Sequence, residues 1–324
     1  MSQYRVLIAS RSLRRIPGEY RNILEEADCD VIDAPGDQRL EGSALEQLVP
    51  HMDAVIVGTD HVTAHVIRAA NRLKVISKYG VGLDAIDLEA ASRAGVVVAY
   101  TPGTSHIAVA ELTIGMMFAL ARNIPQHNQI VRSGGWKRIA GVELAGKTLG
   151  IIGLGRNGFE VAKRGHALEM HVLYYDPLRR PDLETQGWLT YLPCDGLLGE
   201  ADFVTLHCPY TEETTNLIGE AELRAMKPSA YLINTARGEI VDEAALAQAL
   251  RKGWIAGAAS DAFVHEPPTG SPLLELDNFL ACPHVGGATQ EAQERTAIMA
   301  ARNVVLVLQG CRPLAVANPD VYSP

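Results

Sequence analysis

The stretch that most limits the fold is Lys147 to Gly158, KTLGIIGLGRNG. Its apolar run, Thr148 to Ile152, reads as a buried strand and breaks into Gly153, Gly155 and Gly158. A run of that kind ending in glycines so spaced predicts a parallel strand turning tightly into a helix. The first glycine makes the bend, the second lets backbone approach a phosphate, and the third packs helix against strand. The exposed N–H groups and positive dipole end of the helix suit an anion. Glycine-rich turns also close ordinary loops, so the reading needs support from the flanking residues.

That support comes from Val172 to Tyr175, which reads as the next strand and ends at Asp176, 18 residues after Gly158. A dinucleotide-binding unit places there the carboxylate that accepts hydrogen bonds from the adenosine ribose. Asp176 would repel a 2′-phosphate, which favours NAD over NADP, whereas the nearby Arg179 and Arg180 point the other way.

Strand-like runs also occur at Val6 to Ala9, Val31 to Asp33, Ala54 to Val57, Val75 to Ser77 and Val96 to Ala99. Further runs follow at Phe203 to His207, Tyr231 to Asn234, Ala256 to Ser260 and Phe279 to Ala281. Helical patterns lie between many of them, the signature of doubly wound α/β sheets. At 324 residues the chain exceeds one typical core, so two domains with a cleft between them are expected. The long helical patterns at 106–122 and 288–309 mark the transitions. Residues 1–101 plus 288–324 would form one domain and residues 102–287 the other.

Composition removes several classes. A net charge of −9 without a basic stripe argues against nucleic acid as the main partner. No apolar run reaches the roughly 18 residues of a membrane span, and the N-terminus does not read as a signal peptide. A cytoplasmic location without a membrane partner is expected. The five cysteines lack paired metal-ligand spacing, so reduced thiols and no metal site are expected.

The chemistry-bearing residues lie in loops after strands. Lys78-Tyr79-Gly80-Val81-Gly82 is either a turn or a small nest of N–H groups for a carboxylate. Arg11, Arg14 and Arg15 form either a solvated basic turn or an anion contact. Arg237, Glu266 and His284 would converge on the carboxyl edge of one sheet. Taken singly, they could be a salt-bridging arginine, a solvated loop acid and a structural histidine. Together with a nicotinamide they make a set of matched parts: a guanidinium to hold a carboxylate by two bonds, a histidine to move the hydroxyl proton, and an acid to orient the ring and favour imidazolium.

The sequence resembles the D-isomer-specific 2-hydroxyacid dehydrogenase family along essentially its whole length. The likeness is carried by ISKYGVGLDAIDLEAA (76–91), AVAELTIG (108–115), GKTLGIIGLGRNG (146–158), HCPYTEET (207–214), LINTARGEIVDEAAL (232–246), GAASDAFVHEPP (257–268) and PHVGGAT (283–289). It implies a flavodoxin-like substrate domain, a Rossmann NAD-binding domain, a homodimer whose interface includes the helix near 106–122, and reversible hydride transfer at C2 of a small D-2-hydroxy acid.

On this resemblance Arg237 orients the substrate, Glu266 pairs with the histidine, and His284 is the acid/base. Arg156 and Asn157 would meet the phosphates, with Pro209 and Thr214 near the adenosine. Ala236 and Asp261 would lie by the nicotinamide, Asp261 holding its carboxamide, and Cys208, Thr235 and Gly286 would complete the cofactor contacts. Tyr79, Val81 and Gly82, with Gly80, would line the substrate pocket, their N–H groups toward the carboxylate.

Asn157, Phe159, Ala262 and His265 depart from the family's usual residues without removing a catalytic group. The branch resembled most is the short phosphoglycerate dehydrogenases, which makes 3-phosphoglycerate the leading substrate candidate. Yet Gly58-Thr59-Asp60 stands where many of those enzymes place a phosphate-binding arginine. Lys78 and the Arg11 to Arg15 cluster could compensate. The alternatives are a glyoxylate, hydroxypyruvate or other 2-keto acid reductase, a phosphite dehydrogenase, and, from a different class, a non-enzymatic NAD-binding corepressor.

Overall fold

A computed structural model describes residues 3–322. In chain order the first elements are β1 (Tyr4–Ile8), α1 (Glu19–Glu26), β2 (Cys29–Asp33), α2 (Gly42–Leu48), β3 (Ala54–Val57), α3 (Ala64–Ala69), β4 (Val75–Lys78), α4 (Leu88–Arg93) and β5 (Val97–Ala99). Then come α5 (His106–Ala121), α6 (Ile124–Arg132), β6 (Thr148–Ile152), α7 (Arg156–Ala167), β7 (His171–Tyr175), α8 (Pro181–Glu184), β8 (Leu189–Tyr191), α9 (Cys194–Glu200) and β9 (Phe203–Leu206). The chain ends with α10 (Glu220–Ala225), β10 (Tyr231–Asn234), α11 (Glu243–Lys252), β11 (Gly257–Ser260), β12 (Phe279–Ala281) and α12 (Gln290–Leu308).

Two compact units result: Met1–Ser105 with Gln290–Pro324, and His106–Thr289. The first holds a five-stranded parallel sheet ordered β2-β1-β3-β4-β5. Its strands are apolar on both faces because both are covered, as parallel sheets require. Val6, Ile8, Ala54 and Ile56 pack toward α1 and α12, while Leu7, Val55, Val57 and Ile76 join the cluster on the other face. Ala297, Ala300, Ala301 and Val304 repeat at three- and four-residue spacing along α12. These small side chains let the helix sit close enough for Ser77 Oγ to donate to Ala300 O at 2.9 Å.

The second unit has seven parallel strands in the order β12-β11-β10-β9-β6-β7-β8. The order reverses between β6 and β9, and in the first sheet between β1 and β3. Open α/β sheets bind ligands at the carboxyl ends of strands beside such reversals. β8, a three-residue edge strand, has no counterpart in the sequence reading; only Leu189 of it is buried, too little apolar pattern to stand out. Among the described residues no single helix is long and apolar enough to cross a membrane.

The C-terminal segment is stitched to β5. Ala99 and Val316 form an antiparallel bridge, and Ala317 N–H donates to Val98 O at 2.7 Å. Asn318, 4% exposed, accepts from Val98 N–H at 2.8 Å and donates to Val96 O at 2.9 Å. Replacing it with alanine strands a buried backbone donor and acceptor, so Asn318→Ala should cost about 2 kcal/mol, read as a lower midpoint in urea unfolding.

Candidate active site

In the second unit the glycine turn is built by close contact. Gly153 has φ +94°, and a Cβ there would lie 2.6 Å from Cys208 N. A Cβ on Gly158 would fall 2.1 Å from Gly153 O, so the first turn of α7 can approach only without one. At Gly155 a Cβ would meet nothing within 4 Å. The middle glycine thus faces open space at the N-terminus of α7, room that fits a pyrophosphate. Arg156 and Asn157 open that helix.

Asp176 is joined to this turn: its carboxylate accepts from Leu154 N–H at 2.7 Å and Leu178 N–H at 2.8 Å. Across the sheet reversal, Thr214 Oγ1 donates to Pro209 O at 2.8 Å, closing the loop after Cys208 on itself. The adjacent His207 has both ring nitrogens enclosed, and burial pushes its pKa down to about 3, so it is neutral.

The Arg237 loop is shaped by Asn234, a buried amide at the end of β10 to which the sequence motif alone assigns no role. Its side chain donates to Arg237 O at 2.7 Å and accepts from Ala236 N–H at 3.0 Å. The recoverable signal was a polar residue closing an apolar strand. Thr235 turns its hydroxyl to Thr113 Oγ1 of α5, 3.0 Å away, which anchors the loop and places the hydroxyl inside. A Cβ on Gly238 would lie 2.1 Å from Phe263 C, so this glycine lets the Arg237 loop touch the segment leading to Glu266.

Glu266 and His284 meet directly. His284 Nδ1 lies 2.9 Å from both Oε1 and Oε2 of Glu266, and Phe263 N–H donates to Oε1 at 3.2 Å. The hydrogen bond that His284 Nδ1–H donates to Glu266 raises the His284 pKa above the ordinary histidine value, against burial and the Arg237 charge. Burial pushes Glu266 up, but the bond and charge of His284, with the Arg237 charge, leave it below the usual carboxylate range. His284 is left-handed, φ +54°, a conformation unusual outside glycine.

The neighbouring backbone enforces it. Asp261, 2% exposed, accepts from Val285 N–H at 2.8 Å and Gly286 N–H at 2.7 Å. Asp261, expected at the nicotinamide carboxamide, also holds the His284 loop through these two bonds, and Gly286 supplies one of the two amides.

In the first unit the expected nest is only half available. Tyr79 N–H donates to Val57 O and Gly80 N–H to Thr101 Oγ1, both at 2.8 Å. Ladder and loop hydrogen bonding therefore engage two of the N–H groups of that nest. Lys78 belongs to β4 rather than its loop and is 8% exposed, with its amine donating to Gly58 O. Arg14 is neither solvated nor turned toward a ligand. It is 6% exposed, and its guanidinium bonds the carbonyls of Ala9, Pro35, Gly36 and Gln38, with Asp60 3.6 Å away. Among the described residues no cluster of three or more His, Cys, Asp or Glu is placed to hold a metal ion.

Residues 114–286 match the family model described as D-isomer specific 2-hydroxyacid dehydrogenase, NAD binding domain. A glyoxylate reductase of Thermofilum pendens is 44% identical over 95% of this chain and 94% of its own. The chain belongs to the D-isomer-specific 2-hydroxyacid dehydrogenase family. A D-3-phosphoglycerate dehydrogenase of Archaeoglobus fulgidus is 45% identical over 83% of the chain, which spans about half of that relative, 52%. The crystal structure of the TT0316 protein from Thermus thermophilus superposes with a TM-score of 0.88 at 38% identity, over 97% of this chain and 99% of that one.

This 2-hydroxyacid dehydrogenase is thus an NAD-dependent oxidoreductase acting on CH–OH groups. The open space at Gly155 and the N-terminus of α7 beside it suit the pyrophosphate of such a cofactor. In Glu266→Gln the charge facing Nδ1 is gone, so the His284 pKa should fall toward the ordinary histidine value. An imidazole titration followed by NMR reads it, and an unmoved pKa would contradict the pairing.

Proposed function

We propose that the protein interconverts a small, unphosphorylated 2-keto acid of the glyoxylate or hydroxypyruvate type and its D-2-hydroxy acid, with Arg237, Glu266 and His284 as working residues. When bound, the nicotinamide of NAD accepts or supplies the hydride. Arg237 holds the substrate carboxylate by paired N–H bonds, which fixes orientation as a point charge would not. Glu266 occupies Nδ1 of His284, which makes Nε2 the nitrogen that handles the substrate proton. In reduction the imidazolium gives that proton to the forming hydroxyl; in oxidation the neutral ring takes it. Asp261 keeps the ring in place through the backbone.

The observation that carries the substrate class lies beside the β1/β3 reversal of the first unit. Gly58 offers no side chain there, and Asp60, 1% exposed, accepts from Gly58 N–H and Leu40 N–H at 2.9 Å each. Arg14 is committed to carbonyls and to Asp60, 3.6 Å away, so that pair supplies no spare cation for the phosphate of a phosphorylated substrate. The glyoxylate reductase named above, matched over nearly the whole chain, supports the same reading. Lys78 favours the second reading, 3-phosphoglycerate, since its amine lies against the same loop.

Turnover with NADH on glyoxylate, hydroxypyruvate and 3-phosphohydroxypyruvate tests the proposal. The unphosphorylated acids should show the higher kcat/KM, and Lys78→Met should alter all three alike. A loss confined to the phosphorylated acid would transfer the assignment to phosphoglycerate chemistry. A chain that binds NADH but turns over none of a wider 2-keto acid panel would be a regulator. The protein is further proposed to be a homodimer: α6 has no buried residue, and Ile124, Val131 and Trp136 are exposed nearby.

His284→Ala should lower kcat by roughly 10²–10⁴-fold with the NADH dissociation constant unchanged. Reduction needs the protonated ring, so its rate should be full at low pH and fall as pH rises through the raised His284 pKa, while oxidation rises over the same range. Glu266→Gln should move that falling limb to lower pH, measurable in kcat/KM profiles.

A further inference from the structure

Arg179 and Arg180 follow Asp176 closely, and a free guanidinium there would suit the 2′-phosphate of NADP. Each is instead closed on an acid of its own loop. Arg179 Nε donates to Glu184 Oε1 at 2.9 Å and Nη2 to Oε2 at 2.7 Å. Arg180 Nε donates to Asp182 Oδ1 at 3.0 Å and Nη2 to Oδ2 at 2.8 Å. Exposed ion pairs usually hold little, but these are two-pronged, and the first has a buried anchor. The hydroxyl of Tyr174, a residue of 0% exposure, donates to Glu184 Oε1 at 2.7 Å and accepts from Arg180 N–H at 2.8 Å. The bonds from Arg179 and Tyr174 hold the Glu184 carboxyl down to about 2, so it is charged throughout the working range. The Arg179 guanidinium also lies over the Tyr191 ring, 5.1 Å from its centroid. Between 176 and 184 three acids face two arginines, and the loop is net negative.

We propose that Glu184 is a specificity-determining positioning residue for the cofactor: by holding Arg179 in a two-pronged pair, as Asp182 holds Arg180, it withholds the cations that would bind a 2′-phosphate. Selection of NAD over NADP then rests on the Asp176 charge and this sequestration together. The inference depends on the placement of Asp176 at the adenosine ribose.

Calorimetric dissociation constants for NADH and NADPH, measured on the full chain, test it. Glu184→Gln keeps the size of the side chain and an acceptor for Tyr174, and should tighten NADPH roughly tenfold, the worth of one charge-assisted pair. NADH affinity should stay within about twofold. Adding Arg179→Ala should abolish the gain, an outcome that a merely structural loop bridge would not produce. Asp182→Asn, on an exposed side chain, gives the same readout through Arg180 should the first variant not fold. NADPH affinity unchanged in both releasing variants, or a gain that survives removal of the arginine, would overturn the proposal. Asp176→Ser separates the two levels: weaker NADH binding supports the ribose placement, and unaltered NADH binding removes that placement and the proposal with it.

Discussion

The buried carboxylate of Asp261 is the contact on which the site's geometry hangs. Its two bonds to Val285 and Gly286 fix the backbone on the far side of His284, whose left-handed conformation would otherwise relax. Burial pushes Asp261 toward its neutral form, and the backbone N–H groups and the His284 charge oppose that push. A carboxylate so enclosed accepts little mismatch, because an unmet lone pair there has no water to turn to. The position of His284 is therefore set by a buried group acting through the backbone, and Glu266 has only to set the ring's charge and tautomer.

The same division of labour runs through both sheets. At the amino ends of the strands, acids pin structure: Asp53 accepts from Arg5 N–H at 2.9 Å just before β3, and Asp202 accepts from Thr148 N–H at 2.9 Å just before β9. Both pair with a cation, Arg72 and Lys227. At the carboxyl ends the loops carry Asp176, Arg237, Asp261 and His284. A parallel sheet makes this separation unavoidable, since all its strands start at one edge and finish at the other. The glycines follow suit: Gly153, Gly158 and Gly238 lie where loops of the carboxyl edge press on one another, and each spares a clash under 3 Å.

Patterns that depend on local spacing were legible in the sequence. The glycine turn and the strand endings follow from short motifs, the pairing of Glu266 with His284 follows from the family resemblance, and the strands Ala54–Val57, Tyr231–Asn234 and Phe279–Ala281 have the limits their apolar runs suggest. What escaped depends on partners distant in sequence. Nothing near Asp261 says that its oxygens will find the amides of residues 285 and 286, and nothing near Tyr79 says that its N–H joins the edge of a neighbouring strand. β8 escaped for another reason: an edge strand with one buried side chain leaves almost no alternation to read.

Basic residues give the sharpest lesson about charge. Arg14, Arg179 and Arg180 all follow strands at a carboxyl edge, where an anion site would be sought, and all three are engaged by acids or carbonyls of their own unit. Sequence can show that a cation stands at the right edge; only the fold shows whether its valence is already used. Arg237 too is engaged within its own unit. Its loop is shaped through backbone bonds to Asn234, and its own Nη1 donates to Ala236 O at 2.7 Å. Its charge acts on His284 and Glu266 together. By disfavouring a second positive charge at His284, that guanidinium opposes the carboxylate that raises the histidine. The proton is thus held between two opposing charges, which suits a group that must give it up in one direction of the reaction and recover it in the other.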